Sequence, residues 1–191
     1  MNDGIARRPA RRWPLFVGLA ILALTVFVIP VAAKSDGQSD VAGARNATAS
    51  FHDLNTADAA GYTVRVADVN GITCIDDPAG GMGVHYLDPG LVPELFSDTA
   101  AASVDASTPE LLVFAPGADG QERLVALEYL TIKARWDARH DGKPSLFGQE
   151  FNETPAGNRF GLPAFYSLHA WIWAPNPTDM FSPWNPRVTC P

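Results

Sequence analysis

The sequence predicts an α+β domain. A short N-terminal helix packs on a mostly antiparallel sheet of five to seven strands, which can curl into a barrel, and a signal or transmembrane helix precedes both. Three observations predict it. Apolar residues alternate with a period of two in several segments after Tyr62. Glycine and proline number 16 each, which favours turns and strands over long helices. An uncharged apolar run, Trp13 to Ala33, follows four arginines near the N-terminus.

That run comes first in the chain. Arg7, Arg8, Arg11 and Arg12 flank 21 uncharged residues, enough for a helix to cross a bilayer. The arginines would stay on the cytoplasmic side and place the rest outside. Pro30 followed by Val31-Ala32-Ala33 offers the small residues a signal peptidase reads. Residues 1–33 are therefore a signal peptide or a membrane anchor. Both export the remainder, secreted in one case and held by residues 13–33 in the other.

Residues 34–46, "KSDGQSDVAGARN", are small and polar and read as a flexible linker. One globular domain is expected over 47–191. It opens with a helix near 47–60 that Gly61 stops. "YTVRVADV" alternates as a strand, "NG" at 70–71 is a hairpin turn, and "ITCID" and "MGVHYLD" follow as strands. "LVPELF" reads as a short helix. "ELLVFAP", the turn "GADGQ" and "ERLVALEYLTIKA" form a hairpin. "RWDARHDGKP" is a loop or short helical turn, "FYSLHAWIWA" is the last strand, and the proline-rich tail wraps the surface.

Charge and cysteines bound the function. The formal net charge is −7, and residues 1–33 hold four of the basic residues and one acid, Asp3. The rest carries ten basic against twenty acidic residues, which argues against nucleic acid as a partner. Cys74 and Cys190 both fall in the exported part, where an even count points to one disulfide. Two free thiols are the alternative. Neither cysteine has the neighbours a structural zinc site needs.

Strand parity then nominates a site. His85 shares a face with Gly83 and Leu87. Glu128 shares one with Leu124, Ala126, Leu130 and Ile132. His169 shares one with Phe165, Ser167, Trp171 and Trp173. A glutamate on an otherwise apolar face must be paired, protonated or a ligand. If these strands line one concave sheet, His85, Glu128 and His169 converge, and two imidazoles with one carboxylate suit a divalent first-row metal with open positions. His52, on the helix, is the candidate for a further imidazole. The alternative is that the histidines make ordinary hydrogen bonds while Glu128 pairs with Arg65 or Arg159. No "GxSxG" elbow occurs, and "GGMG" at 80–83 lacks the lysine of a phosphate loop.

"GVHYLDP", "LVALEYLTIKARWD", "PSLFGQEF", "FGLPAFYSLHAWIWAPNP" and "MFSPWNPRVTC" together resemble a family of uncharacterised exported bacterial proteins, commonest in actinobacteria. The likeness runs from about Ala49 to Cys190. It implies export and a single domain, and no activity to carry over. The order "GVHYLDP…LLVFAP…RLVALEYL" is also similar to a segment of oil-body-associated proteins, which pairs His85 with Glu128 in the same motif order. Two functional readings follow: an extracytoplasmic domain with a metal- or small-ligand-binding pocket at His85, Glu128 and His169, or a non-catalytic cell-envelope interaction module using the aromatic C-terminal region.

Overall fold

The computed structural model describes Met1 and residues 36–191. The signal or anchor read at 1–33 lies, Met1 apart, outside them. Among the described residues no helix is long and apolar enough to cross a membrane. The elements are α1 (Asp36–Thr48), a 3-10 turn (Ala49–His52), α2 (Leu54–Ala59), β1 (Val64–Arg65), β2 (Cys74–Asp77), β3 (Gly80–Leu87), a 3-10 turn (Pro93–Leu95), β4 (Leu111–Pro116), β5 (Glu122–Ile132), α3 (Lys133–Asp137), β6 (Ser145–Leu146), β7 (Gln149–Glu150), β8 (Asn152–Thr154) and β9 (Phe165–Ala170). Seven strands form one sheet in the order β1-β3-β4-β5-β9-β8, with β2 also on β3, and β6 pairs with β7 apart from it. All pairings are antiparallel.

The architecture is α+β, but the sheet does not close into a barrel. Its outer strands, β1 and β8, are two and three residues long and do not pair with each other. Closure needs a continuous ladder between first and last strands. The hairpin of β4 and β5, the strand over "MGVHYLD" and the helical turn in "LVPELF" lie where the sequence places them. "FYSLHAWIWA" leaves the ladder earlier, at Ala170, and the Trp171 amide turns to the Met180 carbonyl.

The flexible linker expected at 34–46 is instead mostly helix α1. Its composition is too polar to signal a buried face, and tertiary contacts hold it. Ala44 is fully buried. The Arg45 Nε donates to the Ile172 carbonyl at 3.1 Å, and the Trp173 Nε1 donates to the Thr48 hydroxyl at 3.2 Å. The helix expected over 47–60 is broken at Asp53. That side chain accepts from the amides of Asn55 and Thr56 and so caps α2.

The sheet has two buried faces. On the first, Leu112, Phe114, Leu127, Tyr129 and Leu168 meet Ala44, Ala57, Phe147 and Phe151. On the second, Leu111, Leu130, Ile132 and Phe165 cluster with Val92 at one end, and Val113, Ala126 and Trp171 cluster with Val188 at the other. A register shift between Val113 and Phe114 inserts one extra residue in β5. Parity flips there, so Leu124 packs with the first face and not beside Glu128 as its spacing predicts.

The C-terminal tail straps the edge at β3. Asn185 exchanges backbone hydrogen bonds with Gly81, whose amide also donates to the Val188 carbonyl. A Cβ on Gly81 would lie 2.7 Å from the Val188 carbonyl oxygen, so "GGMG" serves close backbone approach. The Cys74–Cys190 disulfide fastens the strap, with Cα atoms 5.6 Å apart and the two cysteines 116 positions apart in sequence. In a chain-entropy model a loop of that length contributes about 5 kcal/mol.

Candidate metal centre

His85, Glu128 and His169 alternate with first-face residues on three different strands. Glu128 lies between Leu127 and Tyr129, and His169 between Leu168 and Ala170, all four of them packed in the first cluster. All three polar side chains therefore project from the second face. Glu128 and His169 are directly opposed across β5 and β9. His85 opposes Val113 on β4, so its ring must reach across that strand.

It does reach. The His85 Nε2 lies 3.3 Å from the His169 Nε2 and 3.4 Å from a Glu128 carboxylate oxygen. The His169 Nδ1 is 3.7 Å from the other Glu128 oxygen. One ligand atom from each residue can be chosen so that all lie within 4.8 Å of one another. Exposures are 3% for His85, 7% for Glu128 and 2% for His169. The His85 Nδ1 is buried without a hydrogen-bond partner. The Gly83 backbone lies close enough to favour the charged ring slightly, short of a well-formed bond.

Burial sets the charge states. Desolvation pushes His85 down to about 4, opposed by the Glu128 charge and assisted by His169. Desolvation alone takes His169 to about 4. Both rings are neutral near pH 7, the form that ligates metals. Desolvation raises the Glu128 carboxyl, and His85 and the Ser167 hydroxyl offset part of that rise. With neutral imidazoles beside it, Glu128 has no cationic partner among the described residues. Arg65 pairs with Glu122 at 2.8 Å and Arg159 with Asp68 at 3.1 Å, so neither arginine supplies one.

His52 does not join the cluster. It is exposed at the end of the 3-10 turn, with its ring edge-on to Trp173 at 4.5 Å. Trp173 packs against the first-face cluster, so His52 serves the other side of the sheet. The fourth histidine, His140, stacks on Trp136 at 3.8 Å.

A cavity of about 250 Å³ opens beside the cluster. His85 and Glu128 line it together with Arg65, Leu111, Leu130, Phe165 and further aliphatic residues. The loop carrying Phe160 and Leu162 forms part of the wall and was unmarked in the sequence, which there shows no periodicity. Buried Glu94 and Glu110 were also unmarked. Thr131 donates to Glu94, and the Leu130 amide donates to Glu110 at the end of the β4–β5 ladder. Desolvation pushes Glu110 up to about 8, helped by the charges of Glu94 and Glu128 and opposed by the Leu130 amide.

The aromatic C-terminal region does not form an open platform. Phe165, Tyr166 and Trp171 are buried, and Trp173, Phe181 and Trp184 are half-buried. The Trp171 Nε1 donates to the Ser182 carbonyl at 2.7 Å, and Phe181 stacks on Phe147. No family model, curated protein or solved structure matches this chain.

Proposed function

We propose that this is an extracytoplasmic metal-binding domain in which His85, Glu128 and His169 hold one divalent first-row cation. The observation that carries it is the pair of separations at His85 Nε2, 3.3 Å to His169 and 3.4 Å to Glu128. Bonds of about 2.0–2.1 Å in tetrahedral geometry put neighbouring ligand atoms about 3.3 Å apart. Two edges of the ligand triangle thus already have the required length. Rotation of the carboxylate about its terminal torsion, which is soft, adjusts the third. The donor set of two imidazoles and one carboxylate fits zinc and its first-row neighbours and leaves coordination positions free.

Export is supported by the Cys74–Cys190 disulfide, which persists in oxidising compartments, and by the apolar segment after the four arginines.

Calorimetric titration of the metal-stripped full chain with Zn²⁺ tests the centre. One equivalent is expected to bind, and His85→Ala and Glu128→Ala each to weaken it more than tenfold. Binding that both variants leave unchanged refutes the assignment. Mass measurement of the mature chain from cell fractions tests the export reading: recovery of the domain only from the cytoplasm refutes it.

A further inference from the structure

The centre does not stand alone; the cavity beside it has a composition that selects a ligand. Of its lining side chains, only Arg65, His85 and Glu128 are polar, and none carries a hydroxyl or an amide. The Arg65 guanidinium is committed to Glu122 and lies over the Tyr86 ring. The polar capacity of the cavity is therefore concentrated at the His85–Glu128 end. The remaining wall is Val, Ala, Leu and Phe.

Such a cavity rejects a sugar or peptide, because each buried hydroxyl or amide would lose its water and find no partner. It accepts a compact hydrocarbon body. A 150 Å³ apolar cavity is known to take benzene, so about 250 Å³ has room for a somewhat larger one. The mouth agrees. Val64 lines the cavity and is 42% exposed, and Phe96, next in sequence to the lining residue Leu95, is 71% exposed.

Charge selects the head group. A divalent cation with one carboxylate and two neutral imidazoles carries a net single positive charge. One monoanionic head cancels it. A second anionic group would be left unpaired in an apolar wall. We propose that the pocket takes a small apolar monocarboxylate, its carboxylate on a free position of the metal and its hydrocarbon body along Leu111, Leu130 and Phe165. This rests on the reading of His85, Glu128 and His169 as a metal centre.

The test uses the full chain loaded with Co²⁺, whose visible absorption reports what enters its coordination shell. Cobalt binding is measured first. Sodium butanoate, pentanoate, hexanoate, heptanoate and octanoate are then titrated against the cobalt bands. Each added methylene is expected to tighten binding about fourfold until the cavity is full. Hexan-1-ol is expected to bind at least tenfold more weakly than hexanoate. Ala67 lines the cavity from an exposed position, so Ala67→Trp fills space without disturbing the core. It is expected to weaken octanoate at least tenfold and to leave cobalt affinity unchanged. If cobalt binds and the affinities are independent of chain length, or Ala67→Trp has no effect on octanoate, the ligand proposal is overturned while the metal centre stands. If cobalt does not bind at His85, Glu128 and His169, both are overturned.

Discussion

Removing one imidazole from the centre has a calculable effect on thermal stability. A ligand that binds only the folded state adds RT ln(1 + [L]/Kd), about 2.7 kcal/mol at a free metal concentration of 100 Kd. For a chain of this size each kcal/mol moves Tm by about 2–4 °C, so the metal is expected to raise Tm by about 5–11 °C. The His169 Nε2 supplies one side of the shortest ligand separation, 3.3 Å, and its Nδ1 faces Glu128 at 3.7 Å. His169→Gln keeps polarity and approximate volume but removes the imidazole. Loss of even an outer-shell partner weakens metals about 10–100-fold, so a hundredfold loss is a modest expectation for a ligand. At the same metal concentration the gain then falls to about 0.4 kcal/mol, or about 1–2 °C. The assay is differential scanning calorimetry at pH 7 with and without a chelator, each variant compared with itself. His52→Gln is the matched control, because His52 rests on Trp173 on the other side of the sheet, and it should keep the full shift. Equal shifts in the two variants, or none in the unsubstituted chain, would refute the reasoning.

Other consequences concern pH, the strap and one glycine. In the metal-free domain the unfolded histidines protonate near 6.5 and the folded His85 and His169 only near about 4. The unfolded state thus binds more protons between those values, and stability falls as pH is lowered through them, by up to about 3 kcal/mol per ring. Glu110 acts in the opposite direction, since its folded carboxyl keeps its proton up to about 8 against 4.5 when unfolded. Between pH 6.5 and 8 the two unfolded rings finish deprotonating and return less than about 1 kcal/mol, while Glu110 removes about 2 kcal/mol, so stability should drop by about 1 kcal/mol. Glu110→Gln should flatten that limb in urea titrations, and parallel curves would contradict it. Replacing both Cys74 and Cys190 with Ala should cost up to about 5 kcal/mol in chemical denaturation and free the tail to limited proteolysis. An unchanged midpoint would exclude that role. Gly83 has φ +97°, and a Cβ there would lie 2.5 Å from the Phe114 carbonyl oxygen. Gly83→Ala should therefore cost at least about 1–3 kcal/mol and shift His85, two residues on, enough to weaken metal binding in calorimetry.

The strands that carry the centre were legible because a period of two encodes a face. Glu128 and His169 each sit between two residues of the first-face core, and His85 precedes Tyr86, which packs against it, so their common side follows from their neighbours. The errors have physical causes. Leu124 changed face because the β5 register shift lies between it and Ala126, and a bulge leaves no mark in hydrophobic alternation. Trp173 parted from His169 because the ladder ends at Ala170, after which parity has no meaning. Helix α1 was invisible because Ala44, Arg45 and Thr48 hold it by tertiary contact and not by an apolar stripe.

Curvature is the other quantity that alternation does not contain, and the centre depends on it. Strands β3 and β9 are three spacings apart in the sheet, about 14 Å at 4.8 Å each. Two imidazoles on a flat sheet at that separation would not touch, yet their Nε2 atoms are 3.3 Å apart. The second face must therefore be concave, with both rings leaning inward over β4 and β5. That arrangement is costly by ordinary packing rules. It buries two imidazoles and a carboxyl without any cationic partner and leaves the His85 Nδ1 unsatisfied. Apolar side chains of similar volume at the same three positions would fill the concavity at lower free energy. The proposed cation would reverse the balance of charge, because it would supply the missing counter-charge to Glu128 and a partner for both Nε2 atoms at once. The uncompensated burial of Glu128 and the ligand-length separations around it would thus have one cause in the proposed divalent ion.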